Sequence, residues 1–140
     1  MNARIPAAAL ALATVLAGPQ LASAQDLTAA TKIACTPDSV TRCESADKCS
    51  TKPASARDKS EVLVIDFGAK AASIRKNGEL KKFADVIDEG VKDGARRFSL
   101  AEGGKADRPK LGGTLDKSGK LTLSIDQRGS QAQATCTVQS

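Results

Sequence analysis

Histidine, tryptophan and tyrosine are absent from this 140-residue sequence, which also has only three phenylalanines and one methionine. Without histidine, the commonest general acid–base group, Ser-His-Asp and Cys-His catalytic arrangements cannot form. No glycine-rich phosphate-binding pattern is present either, because Gly103-Gly104 and Gly112-Gly113 fit turns or strand edges. We therefore expect no enzymatic activity, no catalytic residues and no cofactor.

The shortage of aromatic rings also restricts the kind of partner. Proteins that bind single-stranded nucleic acids stack bases on aromatic side chains. The three phenylalanines, Phe67, Phe83 and Phe98, all lie at positions that suit the hydrophobic core. Charges of both signs are interspersed along the chain, whereas a nucleic-acid-binding arm has a run of one sign. The sequence therefore predicts no nucleic-acid partner, and a core built mainly from Val, Ile, Leu and Ala.

The first 24 residues have the pattern of a cleavable secretory signal peptide. Arg4 is their only charged residue, residues 6–18 are uncharged and mostly apolar, and Ala22-Ser23-Ala24 matches the small-residue cleavage signature. The apolar run is shorter than the roughly 20 residues that a membrane-spanning helix needs. We predict a signal peptide at residues 1–24 and one small domain at residues 25–140, periplasmic or secreted and without a membrane span. An ordinary buried helix at residues 6–17 is the alternative.

Four cysteines follow the predicted cleavage site: Cys35, Cys43, Cys49 and Cys136. An even number in a small exported chain predicts disulfide bonds, because the periplasm and the extracellular space are oxidising. Of the three possible connectivities we favour Cys43–Cys49 with Cys35–Cys136, which would link a short polar loop and join the first strand to the last. A loop of about 100 residues closed in this way contributes roughly 4.7 kcal/mol on a chain-entropy estimate.

A four-cysteine zinc site is the competing interpretation of these residues. Such sites use closely spaced pairs of ligands, whereas seven, five and 86 residues separate the successive cysteines here. We therefore predict no bound metal.

The first half of the domain alternates between clear and weak strand signals. Residues 31–36 indicate an opening strand, and residues 61–67 are β-branched, apolar and bounded by turn formers. Residues 37–60 lack apolar periodicity and are rich in Ser, Thr, Lys, Asp and Pro, so we predict a polar loop there. A weaker strand at residues 70–75 ends at Asn77-Gly78, which favours a hairpin turn because both residues tolerate a positive φ.

Residues 79–93 fit two structures. Their apolar residues have helical spacing, with Gly94 as a possible stop. Gly90 inside the segment and the weak start at Asn77-Gly78 oppose a helix. We favour a strand, and keep as the alternative an α+β fold with one helix near residues 79–93.

The second half is more regular. Leu121, Leu123 and Ile125 alternate with polar residues, as in a strand with one buried face. Further strands are predicted at residues 95–100, 111–115 and 131–138, with a charged connection at residues 102–109. The sequence thus predicts a mainly β fold: an antiparallel meander of about six to eight short strands, closed or partly closed into a barrel or sandwich.

The layout as a whole resembles that of small exported proteins of Gram-negative bacteria to which no activity is assigned. The resemblance consists of a single Cys, a Cys-x5-Cys pair, a polar stretch, the strand Val64-Ile65-Asp66-Phe67 and a final Cys near the C-terminus. It implies the fold and the exported compartment, and it transfers no function.

Two functions are consistent with these residue types and sequence patterns. The first is a non-enzymatic binding or interaction module for an envelope polymer or another exported protein. The second is a proteinaceous inhibitor of a secreted hydrolase. Because Arg4 is the only charge among the first 24 residues, the mature chain has 20 Lys and Arg against 16 Asp and Glu, a net charge of +4. An inhibitor of a basic enzyme such as lysozyme is expected to be acidic, so this charge opposes that target.

The densest basic cluster is the candidate patch for an anionic partner: Lys81, Lys82, Lys92, Arg96 and Arg97. The alternative role for these side chains is a charged rim that prevents a sheet edge from pairing with another chain.

Overall fold

Nine strands follow one another in the computed structural model, which describes residues 26–103 and 110–139. A 3₁₀ helix at Leu27–Ala29 precedes them. The other elements are β1 (Lys32–Ser45), β2 (Lys48–Pro53), α1 (Ala56–Lys59), β3 (Val62–Asp66), β4 (Ala71–Lys76), β5 (Glu79–Lys92), β6 (Ala95–Glu102), β7 (Leu111–Asp116), β8 (Lys120–Ser124) and β9 (Gln131–Val138). The predicted signal peptide and most of the predicted charged connection lie outside the described residues.

Eight of these strands form a closed antiparallel barrel, with β2 outside it. Each strand from β3 to β8 pairs with the next along the chain, and β9 returns to pair with β1. The mainly β meander predicted from the sequence is therefore confirmed, and the helical alternative is wrong. Closure removes the free edges that an open sheet of these strands would expose.

β1 is long enough to pair with two different strands along one of its edges. Its first residues, Lys32–Cys35, pair with β3, while residues from Ser39 onwards pair with β2 along the same edge. The opposite edge pairs with β9 as far as Thr41. The second half of β1 and β2 therefore form an antiparallel hairpin, which we call the ribbon, and from Arg42 onwards it extends beyond the pairing with β9.

The prediction of a polar loop at residues 37–60 is wrong, because this segment contains the ribbon and α1. All six residues of β2 are exposed, so the ribbon needs no alternation of apolar side chains and carries no such signal. Cross-strand contacts hold it instead: the Thr41 and Thr51 hydroxyls are 2.7 Å apart, and Cys43 is bonded to Cys49. α1 begins with a capping box in which Ser55 and Asp58 exchange hydrogen bonds.

Residues 79–92 form a strand, and a register shift in it explains why two successive apolar residues, Phe83 and Ala84, both contact the core. The pairing of β4 with β5 shifts register between Ala72 and Ser73, so that Ala72 lies opposite Ala84 and Ser73 lies opposite Lys82. Phe83 is thus the extra residue of a β-bulge. Phe83 and Ala84 consequently both belong to the barrel core, although regular alternation would place them on opposite faces.

Both predicted disulfides are present. Cys35 is bonded to Cys136 and Cys43 to Cys49, and each pair lies directly opposite across two antiparallel strands. There is no free cysteine in the chain. Two disulfides indicate an oxidising, non-cytoplasmic location. No helix in residues 26–103 and 110–139 is long and apolar enough to cross a membrane.

One end of the barrel is filled by side chains from distant parts of the sequence. The Phe67 and Phe98 rings meet edge to face with centroids 5.4 Å apart, and the guanidinium of Arg96 lies over the Phe67 ring. Leu27, from the 3₁₀ helix, is also buried in this core. We call this end the closed end of the barrel.

The Gly112-Gly113 pair does not form a turn, because it lies inside β7. Gly113 is directly opposite Phe98 on β6, and a Cβ atom there would overlap the Phe98 ring. The glycine therefore provides space for one of the two buried phenylalanine rings of the core.

Candidate binding site at the open end of the barrel

The other end of the barrel contains a hollow of about 230 Å³ that is open to solvent. We call it the mouth hollow. Its walls are mostly apolar side chains from six strands of the barrel: Cys35, Leu63, Ile74, Phe83, Leu123, Ala132 and Ala134. Pro37 and Val40 of β1 complete the apolar lining, and Asp58, Glu61 and Gln133 form the polar part of the rim.

The local sequence explains why this end is hollow. The inward positions of β9 that reach it are Ala132 and Ala134, which are too small to fill the barrel axis. Phe83 is aimed into the hollow by the β5 bulge and stays only half-buried. An eight-stranded barrel has an interior just wide enough to be filled by side chains or to hold one small ligand. Here the closed end is filled and the open end is not.

The Asp58 carboxylate on the rim is already engaged in hydrogen bonds. Its Oδ2 accepts bonds from the Ser55 backbone N–H at 2.9 Å and from the Ser55 hydroxyl at 2.8 Å. These bonds lower the pKa of Asp58, and the charges of Arg57 and Arg42 add to the effect. Asp58 is therefore a fixed negative charge at neutral pH and has no proton to donate.

The Glu61 carboxylate, also on the rim, is neutralised by a neighbour. The Lys76 ammonium lies 2.9 Å from Glu61 Oε1 in a partly exposed ion pair. In the part of the chain that the structure describes, no group of three or more Cys, Asp or Glu side chains is arranged to hold a metal ion.

A second hollow of about 330 Å³ lies on the ribbon, and we call it the ribbon hollow. It shares the lining residues Val40 and Asp58 with the mouth hollow, so the two hollows are adjacent. Arg42 and Lys52 line it with Ser50, Pro53 and Ser55. The polar site thus lies next to the apolar one.

Arg42 and Lys52 are available cations. They lie on one face of the ribbon, because Arg42 is opposite Ser50 and Lys52 is opposite Val40. Both side chains are exposed, and neither has an ion-pair partner within 4 Å among the described residues. Arg42 and Lys52 are diagonal neighbours across the two strands, so an anion bound on this face would be attracted by both charges.

The predicted basic patch does not form one surface, because Arg96 is buried at the closed end. Only 8% of Arg96 is exposed, its Nε donates to Glu89 Oε1 at 2.6 Å, and Nη1 donates to the Ala30 carbonyl oxygen. The prediction that Arg96 contacts a partner is therefore wrong. The guanidinium is neutralised and hydrogen-bonded, which makes its burial tolerable.

The four lysine and arginine residues that remain divide between the two ends. Lys92 and Arg97 lie on the outer surface near the closed end, on neighbouring strands. Lys81 lies beside the mouth, where it lines a further depression with Ile74 and Glu61. Lys82 is paired with Asp85 at 2.7 Å. Binding of an anionic partner by these side chains stays a prediction.

The residues that form these two hollows were not among the candidate site residues. Arg42 and Lys52 belong to the segment interpreted as a loop, and Phe83 was assigned only to the core. The one available signal was Phe83-Ala84, two successive core-type residues in a predicted strand, which is the pattern that a bulge produces.

Comparison with known proteins yields no match: no protein-family model, no curated protein and no solved structure is significantly similar to this chain. The layout resemblance to exported proteins of Gram-negative bacteria is neither supported nor contradicted by this result.

Proposed function

We propose that this protein is a non-enzymatic binding module of the periplasm or the extracellular medium, and that its binding site is the mouth hollow. One observation carries the proposal: the barrel is filled at one end and at the other has an apolar hollow of about 230 Å³ that is open to solvent. Concave, mostly apolar sites with a few polar groups at the rim are typical of small-molecule binding, and barrel mouths are a preferred location.

The size of the hollow limits the group that can enter. An engineered protein cavity of about 150 Å³ holds one six-carbon benzene molecule. At the same density, the mouth hollow holds roughly nine carbon atoms. We expect an apolar group of this size, carried by an envelope component or by another exported protein.

The exported location is the second part of the proposal. The two disulfides, which require an oxidising compartment, support it, and so does the signal-peptide pattern of residues 1–24. Mass spectrometry of the protein recovered from periplasmic and medium fractions tests this part. A mature N-terminus at Gln25 is expected, and an intact Met1 in the exported fractions would contradict it.

Titration with octan-1-ol tests the binding site, because this alcohol has an uncharged head and an eight-carbon chain. The ¹⁵N-labelled protein, purified with both disulfides formed, is expected to show saturable chemical-shift changes at Leu63, Phe83 and Ala134. Ala132→Phe places a ring in the hollow and should abolish these changes. Val91→Ala, a substitution of a residue that is 58% exposed and distant from the mouth, is the matched control and should leave them intact.

The proposal is wrong if octan-1-ol produces no saturable changes in the folded protein. It is also wrong if the changes persist in a folded Ala132→Phe variant, because the ligand would then occupy another place.

Inhibition of a secreted hydrolase is a second candidate, and the ribbon favours it. The ribbon is exposed and cross-linked by Cys43–Cys49, and a rigid projecting element loses little conformational entropy on entering an enzyme cleft. Adding the purified protein to secreted lysozymes, amidases and serine proteases tests this function. Stoichiometric loss of one activity supports it, provided that Cys43→Ser/Cys49→Ser weakens the effect. Full activity throughout the panel excludes these enzyme classes as targets.

A further inference from the structure

We infer that the ligand of the mouth hollow is a medium-chain carboxylate, a single-chain amphiphile whose apolar tail enters the mouth hollow and whose anionic head contacts Arg42 and Lys52. The inference rests on the proposed function, and it adds the chemistry of the head group to the apolar group already argued.

The proximity of the two hollows is the first support. Val40 and Asp58 line both of them, so the two hollows are direct neighbours. Arg42 is two residues beyond Val40 on β1, which corresponds to about 7 Å along an extended strand. A head group at Arg42 is therefore within reach of a tail that contacts Val40.

The charge of the ribbon hollow is the second support. Arg42 and Lys52 contribute two positive charges, and Asp58 contributes one negative charge. The Ser50 hydroxyl also lines this hollow. An arginine presents paired N–H donors that match the two oxygens of a carboxylate, and a lysine adds a mobile positive charge.

The negative charge of Asp58 should weaken the binding of an anionic head group, and this effect can be tested. The Ser55 bonds hold its carboxylate beside both hollows, where it repels an anionic head. The remaining rim carboxylate, Glu61, is already paired with Lys76. Neutralising Asp58 should therefore strengthen the binding of a carboxylate and leave the binding of an uncharged alcohol unchanged.

Three ligands with the same eight-carbon chain separate the contribution of the head from that of the tail: octanoate, octan-1-ol and octylamine. Their dissociation constants are measured by NMR titration of the disulfide-bonded protein at pH 7. Octanoate is expected to bind about tenfold more tightly than octan-1-ol, since two surface ion pairs each contribute modestly. Octylamine should bind more weakly than octanoate. Raising the salt concentration from 0.05 to 0.5 M should reduce the octanoate advantage and leave octan-1-ol unaffected.

Substitutions in the ribbon then assign the effect to residues. Arg42→Gln/Lys52→Gln should remove the octanoate advantage while octan-1-ol binds as before. Asp58→Asn should strengthen octanoate binding severalfold. Lys92→Gln/Arg97→Gln removes the same charge at the closed end and is the matched control, with no change expected for any of the three ligands.

The outcomes distinguish the two proposals. If octan-1-ol binds and octanoate is no tighter, or if Arg42→Gln/Lys52→Gln leaves the octanoate advantage intact, the carboxylate inference is wrong and the proposed function stands. If none of the three binds, the proposed function is wrong too. If an N-acetylated tripeptide ending in phenylalanine binds more tightly than octanoate at the same residues, the occupant is the C-terminus of a protein and the amphiphile inference is overturned.

Discussion

The guanidinium carbon of Arg96 lies 3.4 Å from the centre of the Phe67 ring, inside the closed end of the barrel. The contact joins β6 to the residue that follows β3. Glu89 and the carbonyl of Ala30 bind the same guanidinium, so one charged side chain connects four parts of the chain. In this small core, which has few large side chains, a buried arginine thus fills and connects the closed end of the barrel.

Replacing Arg96 should therefore destabilise the fold markedly. Arg96→Ala removes the cation–π contact and leaves both Glu89 and the Ala30 carbonyl without this donor, so we expect a loss of about 2–4 kcal/mol in the free energy of unfolding. Arg97→Ala, at the exposed neighbouring position, should change it by less than about 0.5 kcal/mol. Urea unfolding followed by circular dichroism measures both. Equal midpoints for the two variants would contradict the structural role of Arg96.

Adjacent glycines in β7 should respond in opposite ways to the same substitution. Gly113→Ala forces a methyl group against the Phe98 ring, and overpacking of this kind costs about 1–3 kcal/mol. The nearest atom to a Cβ at Gly112 is Ser124 Cβ at 3.9 Å, which is ordinary contact, so Gly112→Ala should be neutral or slightly stabilising. Thermal unfolding of the two variants is the measurement, and a Gly113→Ala protein as stable as Gly112→Ala would disprove the packing argument.

The two disulfides should differ in their contribution to stability. Cys35 and Cys136 are 101 residues apart in sequence, whereas Cys43 and Cys49 are six apart. On the chain-entropy estimate, removing the long-range bond costs about 4.7 kcal/mol and removing the short-range bond costs about 2.2 kcal/mol. Double Cys→Ala variants of each pair, unfolded in guanidinium chloride, test the order. The reverse order would show that effects in the folded state outweigh the entropy of the unfolded chain.

A hydrogen bond from the Thr135 hydroxyl should control the pKa of the Asp38 carboxyl group. The Thr135 hydroxyl donates to Asp38 Oδ2 at 2.6 Å and is the main cause of the lowered pKa of Asp38, to which the Lys120 charge adds. Thr135→Val should therefore raise the pKa of Asp38 towards its ordinary value, as measured by NMR titration of the carboxyl carbon. Thr137→Val, on the same exposed face of β9, should leave this pKa unchanged.

The same bond fixes the sign of a pH effect on stability. Because the pKa of Asp38 is lower in the folded than in the unfolded state, its contribution is complete above the unfolded pKa of about 3.9 and is lost as the pH falls through the folded value. Thr135→Val should thus be less stable than the wild type at pH 7, and the difference should shrink as the solution is acidified. A difference that grows on acidification would contradict this assignment.

Local signals in the sequence were sufficient for most of the strand order. Alternating apolar residues predict β8, and Asn77-Gly78 predicts the hairpin between β4 and β5, where both residues have a positive φ. These local signals failed for the ribbon, because β2 is exposed along its whole length. The ribbon is held by backbone pairing, a disulfide and a Thr–Thr contact, and none of these requires apolar alternation. Ile125 was also misplaced, since β8 ends at Ser124 and Ile125 is 39% exposed.

The amino-acid sequence by itself determined the β meander and its main turns, because these depend on residue type and on spacing along the chain. It left three cysteine connectivities open, and the closure of the barrel, which brings β9 beside β1, decided the pairing. Only the tertiary structure decided which end of the barrel is filled and which is hollow, because that depends on side chains that meet across the closed sheet. It also decided the position of each cation: Arg96 is held inside by partners far away in sequence, whereas Arg42 and Lys52 face an unfilled depression. The sequence shows an arginine at position 96 and another at position 42, but nothing in the residue type reveals which of the two side chains is buried.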